Sequence, residues 1–267
     1  VPYAHTARIE IYYERFGSGP PLLFISGTGG DLRVRPGVLD TPLAAQFGVV
    51  AFDQRGLGRS AKPAGPYTML DYALDALALM DTLDLGRVCV IGVSFGGMVA
   101  QELALLAPQR IERLVLCCTS AGGAGGASYP LQALAALPDA ERTALRFELG
   151  DRRHTAAWRA ANPEIVARIE AQAAAAAAVS AADPEGPRGA ALQLAARADH
   201  DTFARLPMLQ MPTLLCAGRY DGIAPLANME AMARQLPNAE LRVYEGGHLF
   251  LVQDRTANPD IAAWLLH

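Results

Sequence analysis

Polar and apolar positions alternate from Arg8 to Phe16: Ile9, Ile11 and Tyr13 recur at every second place, the period of a strand with one wet face. GSGPP then breaks the pattern. Two continuous apolar runs follow, LLFI (Leu22–Ile25) and VVAFD (Val49–Asp53), as expected of strands covered on both faces. Between Tyr67 and Leu85 the period changes. Leu70, Ala73, Leu74, Leu77, Met80 and Leu83 recur at helical spacing, with Asp71, Asp75 and Asp81 elsewhere around the wheel. VCVIGV (Val88–Val93), a helix over Ser94–Ala107 and RLVLCCT (Arg113–Thr119) then form a strand–helix–strand unit. The repetition predicts an α/β fold: a mainly parallel sheet with helices on both faces.

After Ala121 the texture changes. GGAGGAS (Gly122–Ser128) is a flexible exit, and residues 129–205 are alanine-rich and helical in pattern. Pro138, Pro163, Pro184 and Pro187 divide this stretch into about four short helices. The tract Ala173–Ala178 favours helix but offers little side-chain bulk. Strand patterns resume in MPTLLCAG (Met211–Gly218) and AELRVYEGG (Ala239–Gly247), and a final helix ends in IAAWLLH. Residues 1–120 and 206–267 therefore read as one core domain, interrupted by a helical cap over 121–205. A cap there would cover the carboxyl ends of the strands, where open α/β sheets bind ligands.

Composition narrows the class. Of the 267 residues, 51% are hydrophobic, which is globular, and the net charge of −4 leaves no basic footprint for nucleic acid. No run approaches the ~18 apolar residues of a membrane helix. The opening VPYAHTARIEIYYERFG lacks a basic segment followed by an apolar one, so no signal peptide is expected. Cys89, Cys117, Cys118 and Cys216 each lie in an apolar, strand-like run without zinc-site spacing, which predicts reduced thiols and a cytoplasmic protein. A small-molecule partner is the default, no metal or cofactor is expected, and a homo-oligomer is compatible with the chain.

Candidate chemistry centres on Gly92-Val93-Ser94-Phe95-Gly96, which fits G-x-S-x-G between a strand and a helix. Such a turn lifts one side chain clear of the sheet, and the glycines remove Cβ atoms that would collide there. The plainer reading is a helix-capping serine. A hydroxyl becomes a strong nucleophile only with a base, and that base needs an orienting acid, in the chain order Ser, Asp or Glu, His.

Of the five histidines, His5 precedes the serine, His154 lies in a charged stretch and reads as a solvated helix start, and His267 is terminal. His248 follows a strand and two glycines, whereas His200 precedes Asp201 at a helix start, where capping is the commoner role. Asp221 follows the strand TLLCAG; Asp199, Asp201 and Asp254 are weaker alternatives. For an oxyanion hole, the backbone N–H groups of Phe95 and of Thr28, in the loop Ser26-Gly27-Thr28-Gly29-Gly30, are the candidates.

Taken together, GVSFGG, DQRGLGRS (Asp53–Ser60), GRYDGIAP (Gly218–Pro225) and GGH (Gly246–His248) resemble the α/β-hydrolase superfamily over nearly the whole chain. The resemblance implies an eight-stranded, mostly parallel sheet with a helical cap after the sixth strand. DQRGLGRS is similar to a structural turn of that family. Many members have His-Gly at the oxyanion loop where this chain has Ser26-Gly27, and LLFISGTGGDLR is similar to the 3-oxoadipate enol-lactonase branch.

The expectation is a serine hydrolase of a small carboxylic ester or lactone, with Ser94, Asp221 and His248 as its catalytic residues. A carbon–carbon bond hydrolase, lyase or acyltransferase with the same three residues is the alternative, and a slow or non-catalytic ligand receptor is another. GHLFLVQD lacks the tryptophan common after the histidine in carbon–carbon bond hydrolases, and Ser94 argues against epoxide hydrolase or dehalogenase chemistry. Arg33, with Arg35, is a candidate for holding an acidic substrate; Tyr129 and Trp158 are candidates for lining the pocket.

Overall fold

A computed structural model describes residues 2–35 and 37–267. One eight-stranded sheet forms its centre, built from β1 (Tyr3–His5), β2 (Glu10–Phe16), β3 (Pro21–Ile25), β4 (Gly48–Phe52), β5 (Val88–Val93), β6 (Ile111–Cys117), β7 (Thr213–Gly218) and β8 (Ala239–Tyr244). The spatial order is β1-β2-β4-β3-β5-β6-β7-β8. The β1–β2 and β2–β4 pairs are antiparallel and every other pair is parallel. This is the mostly parallel α/β sheet that the sequence pattern and the resemblance imply.

The helices follow from local sequence. α1 (Met69–Thr82) starts at a reciprocal cap, in which Thr68 Oγ1 accepts the Asp71 N–H and Asp71 Oδ2 accepts the Thr68 N–H. α2 (Phe95–Leu106) carries one charged residue, Glu102, and buries most of its circumference against the sheet and α1. Buried side chains form two clusters. Leu23, Val90, Tyr72, Leu79 and Leu103 belong to one, and Leu22, Phe47, Ile91, Phe250 and Ile261 to the other. Adjacent residues of β3 (Leu22, Leu23) and of β5 (Val90, Ile91) fall in different clusters, which is why those runs are apolar without interruption.

Buried charge ties the first strands to α1. Arg55 grips Asp75 through two hydrogen bonds of 2.6 and 2.8 Å, and Arg8 Nε reaches the same carboxylate at 3.0 Å. Asp53, where β4 ends, accepts the Leu32 and Arg59 N–H groups, and burial pushes its carboxyl up to about 6. The DQRGLGRS segment is thus a hydrogen-bonded turn.

Between β6 and β7 lie α3 (Asp139–Gly150), α4 (Ala156–Ala161), α5 (Pro163–Ala181) and α6 (Gly186–Ala198). At 19 residues, α5 is longer than the expected short helices and contains no fully buried residue. Its alanines favour the helix by propensity, and Ile165, Val166, Ile169 and Val179 half-bury one side of it. No single helix among the described residues is long and apolar enough to cross a membrane. α7 (Leu226–Gln235) follows β7, and the chain closes with α8 (Phe250–Gln253) and α9 (Ala257–Leu266) after β8.

Candidate active site

Strand order reverses between β3 and β5: β4 lies on one side of β3 and β5 on the other. Crevices open at such switch points beyond the carboxyl ends of the strands. Here the two strands deliver the Ser26–Gly30 loop and Ser94. Ser94 has φ 55° and ψ −116°, a backbone state costly for any residue with a Cβ. The turn is held by Ser94 N–H donating to the Cys117 carbonyl at 2.8 Å and by Thr119 Oγ1 donating to the Ser94 carbonyl at 2.7 Å. A Cβ at Gly92 would meet the Gly96 carbonyl oxygen at 2.4 Å, and one at Gly96 would meet that of Ile25 at 2.1 Å. Only glycines fit that close approach.

Two further loops reach the same place. β7 ends at Gly218 and carries Asp221; β8 ends at Tyr244 and carries His248. Ser94 Oγ lies 3.0 Å from His248 Nε2, and His248 Nδ1 lies 2.8 Å from Asp221 Oδ2. The other Asp221 oxygen accepts the N–H groups of Ile223 (2.7 Å) and Ala224 (2.9 Å). With its side chain fully buried and both oxygens engaged as acceptors, Asp221 is arranged as a carboxylate. Nδ1 of His248 is therefore the proton donor to it, which leaves Nε2 as the acceptor of the Ser94 hydroxyl.

The end of α3 clasps these loops together. Leu149 and Gly150 carbonyls accept the Gly222 and His248 N–H groups at 3.0 and 2.7 Å, and Arg152 N–H donates to the Tyr220 carbonyl at 2.9 Å. Asp151 is buried, gripped by Arg153, and accepts from Gln253 Nε2 at 3.1 Å; Gln253 Oε1 in turn accepts the Gly247 N–H at 2.7 Å. Arg153 and the adjoining backbone N–H hold the Asp151 carboxyl below the usual range against the opposing effect of burial.

The Ser26–Gly30 loop is braced from two sides. Gln54 Nε2 donates to the Ser26 carbonyl at 2.8 Å, and Gln193 of α6 accepts the Gly29 N–H at 2.9 Å. Thr28 and Ile223 both line a cavity of about 590 Å³, with Leu131, Leu134, Leu149 and Leu194. Phe95 begins α2 directly after Ser94, so its N–H belongs to the unpaired first turn of a helix. Cys118, Asp221 and His248 each bring one atom within 4.8 Å of one another. Burial, and secondly the Asp221 charge, push the Cys118 thiol well above its usual range.

The other sequence candidates sit elsewhere. Arg33 does not line the cavity: its guanidinium binds Asp31 at 2.6 to 3.1 Å. Arg35 pairs with Glu14 and Asp40. Trp158 stacks on His154 with ring centroids 4.0 Å apart, away from the cavity lining. His154 is accordingly half-buried against that ring rather than solvated, and burial lowers its pKa. Tyr129 contributes backbone instead of a cavity wall: its N–H donates to the Ile223 carbonyl at 2.7 Å and its carbonyl accepts from Arg197 at 2.9 Å. His200 does not cap a helix; its ring nitrogens are buried, with the Ser120 carbonyl as the nearby backbone acceptor. Asp201 accepts the Phe203 N–H, and Asp254 accepts those of Glu245 and Thr256. Gln193 and Asp151, which brace the site, leave no mark in the sequence because only tertiary packing brings them to it, whereas Gln54 belongs to the DQRGLGRS turn.

Comparison with known proteins fits this geometry. The model of the alpha/beta hydrolase fold matches residues 20–254. The chain belongs to that family. It is 32% identical over 234 residues to a poly(3-hydroxyalkanoate) depolymerase of Ectopseudomonas oleovorans, covering 87% of this chain and 79% of the relative. It is 26% identical over 258 residues to 3-oxoadipate enol-lactonase 2 of Acinetobacter baylyi, covering 93% and 90%. Among solved structures, the enol-lactonase from Burkholderia xenovorans LB400 superposes with a TM-score of 0.77 at 25% identity, covering 99% of both chains.

Proposed function

We propose that this hydrolase of the alpha/beta fold is serine-dependent and cleaves a small carboxylic ester or lactone through an acyl-enzyme. One observation carries the reading: the unbroken hydrogen-bond chain Ser94 Oγ–His248–Asp221, assembled from the ends of three strands. Ser94 Oγ attacks the carbonyl carbon while His248 Nε2 takes its proton. Asp221 fixes the imidazole tautomer and stabilises the imidazolium that forms. The proton then passes from Nε2 to the leaving alcohol, and water deprotonated by the same nitrogen releases the acid. The backbone N–H groups of Phe95 and Thr28 are the proposed donors to the oxyanion, each worth roughly 10²–10³ in rate.

The apolar cavity beside Thr28 suits an acyl or alkyl group, and the relatives named as an enol-lactonase and a poly(3-hydroxyalkanoate) depolymerase support ester or lactone chemistry. Carbon–carbon bond hydrolysis, lyase and acyl-transfer chemistry use the same three residues, so pocket shape decides among them. Four unpaired buried thiols support a reducing compartment, which we take as the cytoplasm. Ser94→Ala is expected to abolish turnover of a chromogenic short-chain ester, with its melting temperature retained. Turnover at the wild-type rate by that variant overturns the reading.

A further inference from the structure

A second cavity, of about 200 Å³, lies under the cap and shares Gln132 as a wall with the larger one. Met98, one turn along α2 from Ser94, also lines it, as do Ser120, Ser128, Arg197 and His200. Arg197, in the last turn of α6, is 7% exposed. Its Nη2 donates to the Tyr129 carbonyl at 2.9 Å, while its buried Nη1 has no hydrogen-bond partner among the described residues. His200 is also 7% exposed; its ring nitrogens are buried and, among the described residues, have only the Ser120 carbonyl close by as a backbone acceptor.

A guanidinium removed from water without a counter-charge is strongly disfavoured. No carboxylate compensates this one. Glu102 is held by Arg205 at 2.6 and 3.0 Å, and Asp201 accepts the Phe203 N–H. Burial alone acts on Arg197, lowering its pKa with no opposing charge. Burial also brings His200 down to about 4, so near neutrality its ring offers one N–H donor and one acceptor. The arginines of the larger cavity differ. Arg142 pairs with Asp139, and Arg146 is exposed, where water screens its charge.

We propose that Arg197 and His200 form a subsite for a carboxylate on the substrate, so that the protein selects esters or lactones bearing an acid group away from the scissile bond. This rests on the serine-hydrolase reading. The substrate's reacting carbonyl lies against Ser94, and its short arm passes Gln132 to reach Arg197. There Nη1–H donates to one carboxylate oxygen, while the single N–H of His200, turned from the Ser120 carbonyl, donates to the other. The Ser120 and Ser128 hydroxyls, hydrogen-bonded to each other at 2.8 Å, leave one further O–H as a donor.

The test compares 4-nitrophenyl hemiglutarate with neutral 4-nitrophenyl hexanoate. Wild-type kcat/KM is expected to favour the acid by roughly 10–100-fold, the range set by a buried charged hydrogen bond. In Arg197→Met that preference is expected to vanish, and in Arg197→Lys to survive in part. No preference in the wild type, or the same preference in Arg197→Met, overturns the proposal.

A binding arm separates failure of the subsite from failure of the catalytic reading. Ser94→Ala is titrated by calorimetry with monomethyl glutarate, dimethyl glutarate and inorganic phosphate. Tighter binding of the monoacid than of the diester, lost in Ser94→Ala/Arg197→Met, supports the subsite even if no ester is turned over. Equal binding of acid and diester overturns it, as does phosphate binding without preference for the monoacid. Should Arg197→Met not fold, the Arg197→Lys ratio and the wild-type titrations decide by the same criteria.

Discussion

Burial sets the chemistry of single side chains more than their neighbours in sequence do. His200 sits in RADHDTF, a charged string that reads as a surface helix start, yet it is buried and its pKa falls to about 4. Between about pH 4 and 6.5 the unfolded chain binds a proton at this histidine and the folded chain does not, so its contribution to stability is lost as pH falls through that window. Asp53 acts oppositely over nearly the same range. Its raised carboxyl keeps a proton in the folded state that the unfolded state releases, so its contribution falls as pH rises toward about 6. The wild-type slope adds to these two the contributions of His154 and of the lowered carboxyls such as Asp151, which also favour the folded state as pH rises. His200→Leu is therefore expected to flatten or reverse the rise in unfolding free energy between pH 4.5 and 7, by up to about 3 kcal/mol. Urea titrations of both proteins across that range measure it.

Ser94 was legible because its signal is local: an apolar run, a turn with glycines two places either side, and an apolar helix lie within sixteen residues. Arg197 was not. Whether an arginine near a helix end is solvated or entombed depends on what the cap folds against. Arg33 shows the converse, since its position after the oxyanion loop suggested a ligand while Asp31, two residues away, occupies its guanidinium.

At the level of elements, the strands of the core were readable with small shifts at their ends, because burial on both faces imposes a run of apolar residues. α7 was missed, although Leu226, Met229 and Met232 stand at helical spacing in it. Long-range ties between elements left no such trace. Asp75 joins α1 to the turn after β4 and to the loop before β2 through Arg55 and Arg8. Asp75→Ala strands Arg55 in the interior, and is expected to cost about 3–5 kcal/mol in a denaturant titration. Gln193 joins α6 to the Ser26–Gly30 loop through the Gly29 N–H. Gln193→Leu frees that loop without removing a donor to substrate. We expect kcat for a chromogenic ester to fall on the order of 10-fold with little change in melting temperature; a loss confined to stability would refute the positioning role.

Across the whole molecule, the cap divides into a fixed part and a loose part. The end of α3 is stitched by backbone hydrogen bonds to the loops carrying Asp221 and His248, and α6 carries Gln193 and Arg197 inward. α5 has no fully buried residue. Single Ala→Glu or Ala→Lys changes within Ala173–Ala175 are expected to shift unfolding free energy by about 0.5 kcal/mol or less, as substitutions on a wet helix surface do. Thermal melts of the three variants test this.

That division has a consequence for how such a chain can change over generations. Gln172 and Ala176 of the loosely held helix line cavities beside Val38 and Leu251, one of which also contacts the Ser26–Gly30 loop. Bulk can be added there one side chain at a time, narrowing the space beside the Ser26–Gly30 loop, while the backbone bonds from α3 to the loops of Asp221 and His248 are untouched. If the proposed function holds, new substrate preferences are therefore accessible by point substitutions that leave Ser94, His248, Asp221 and the folding of the core under separate selection.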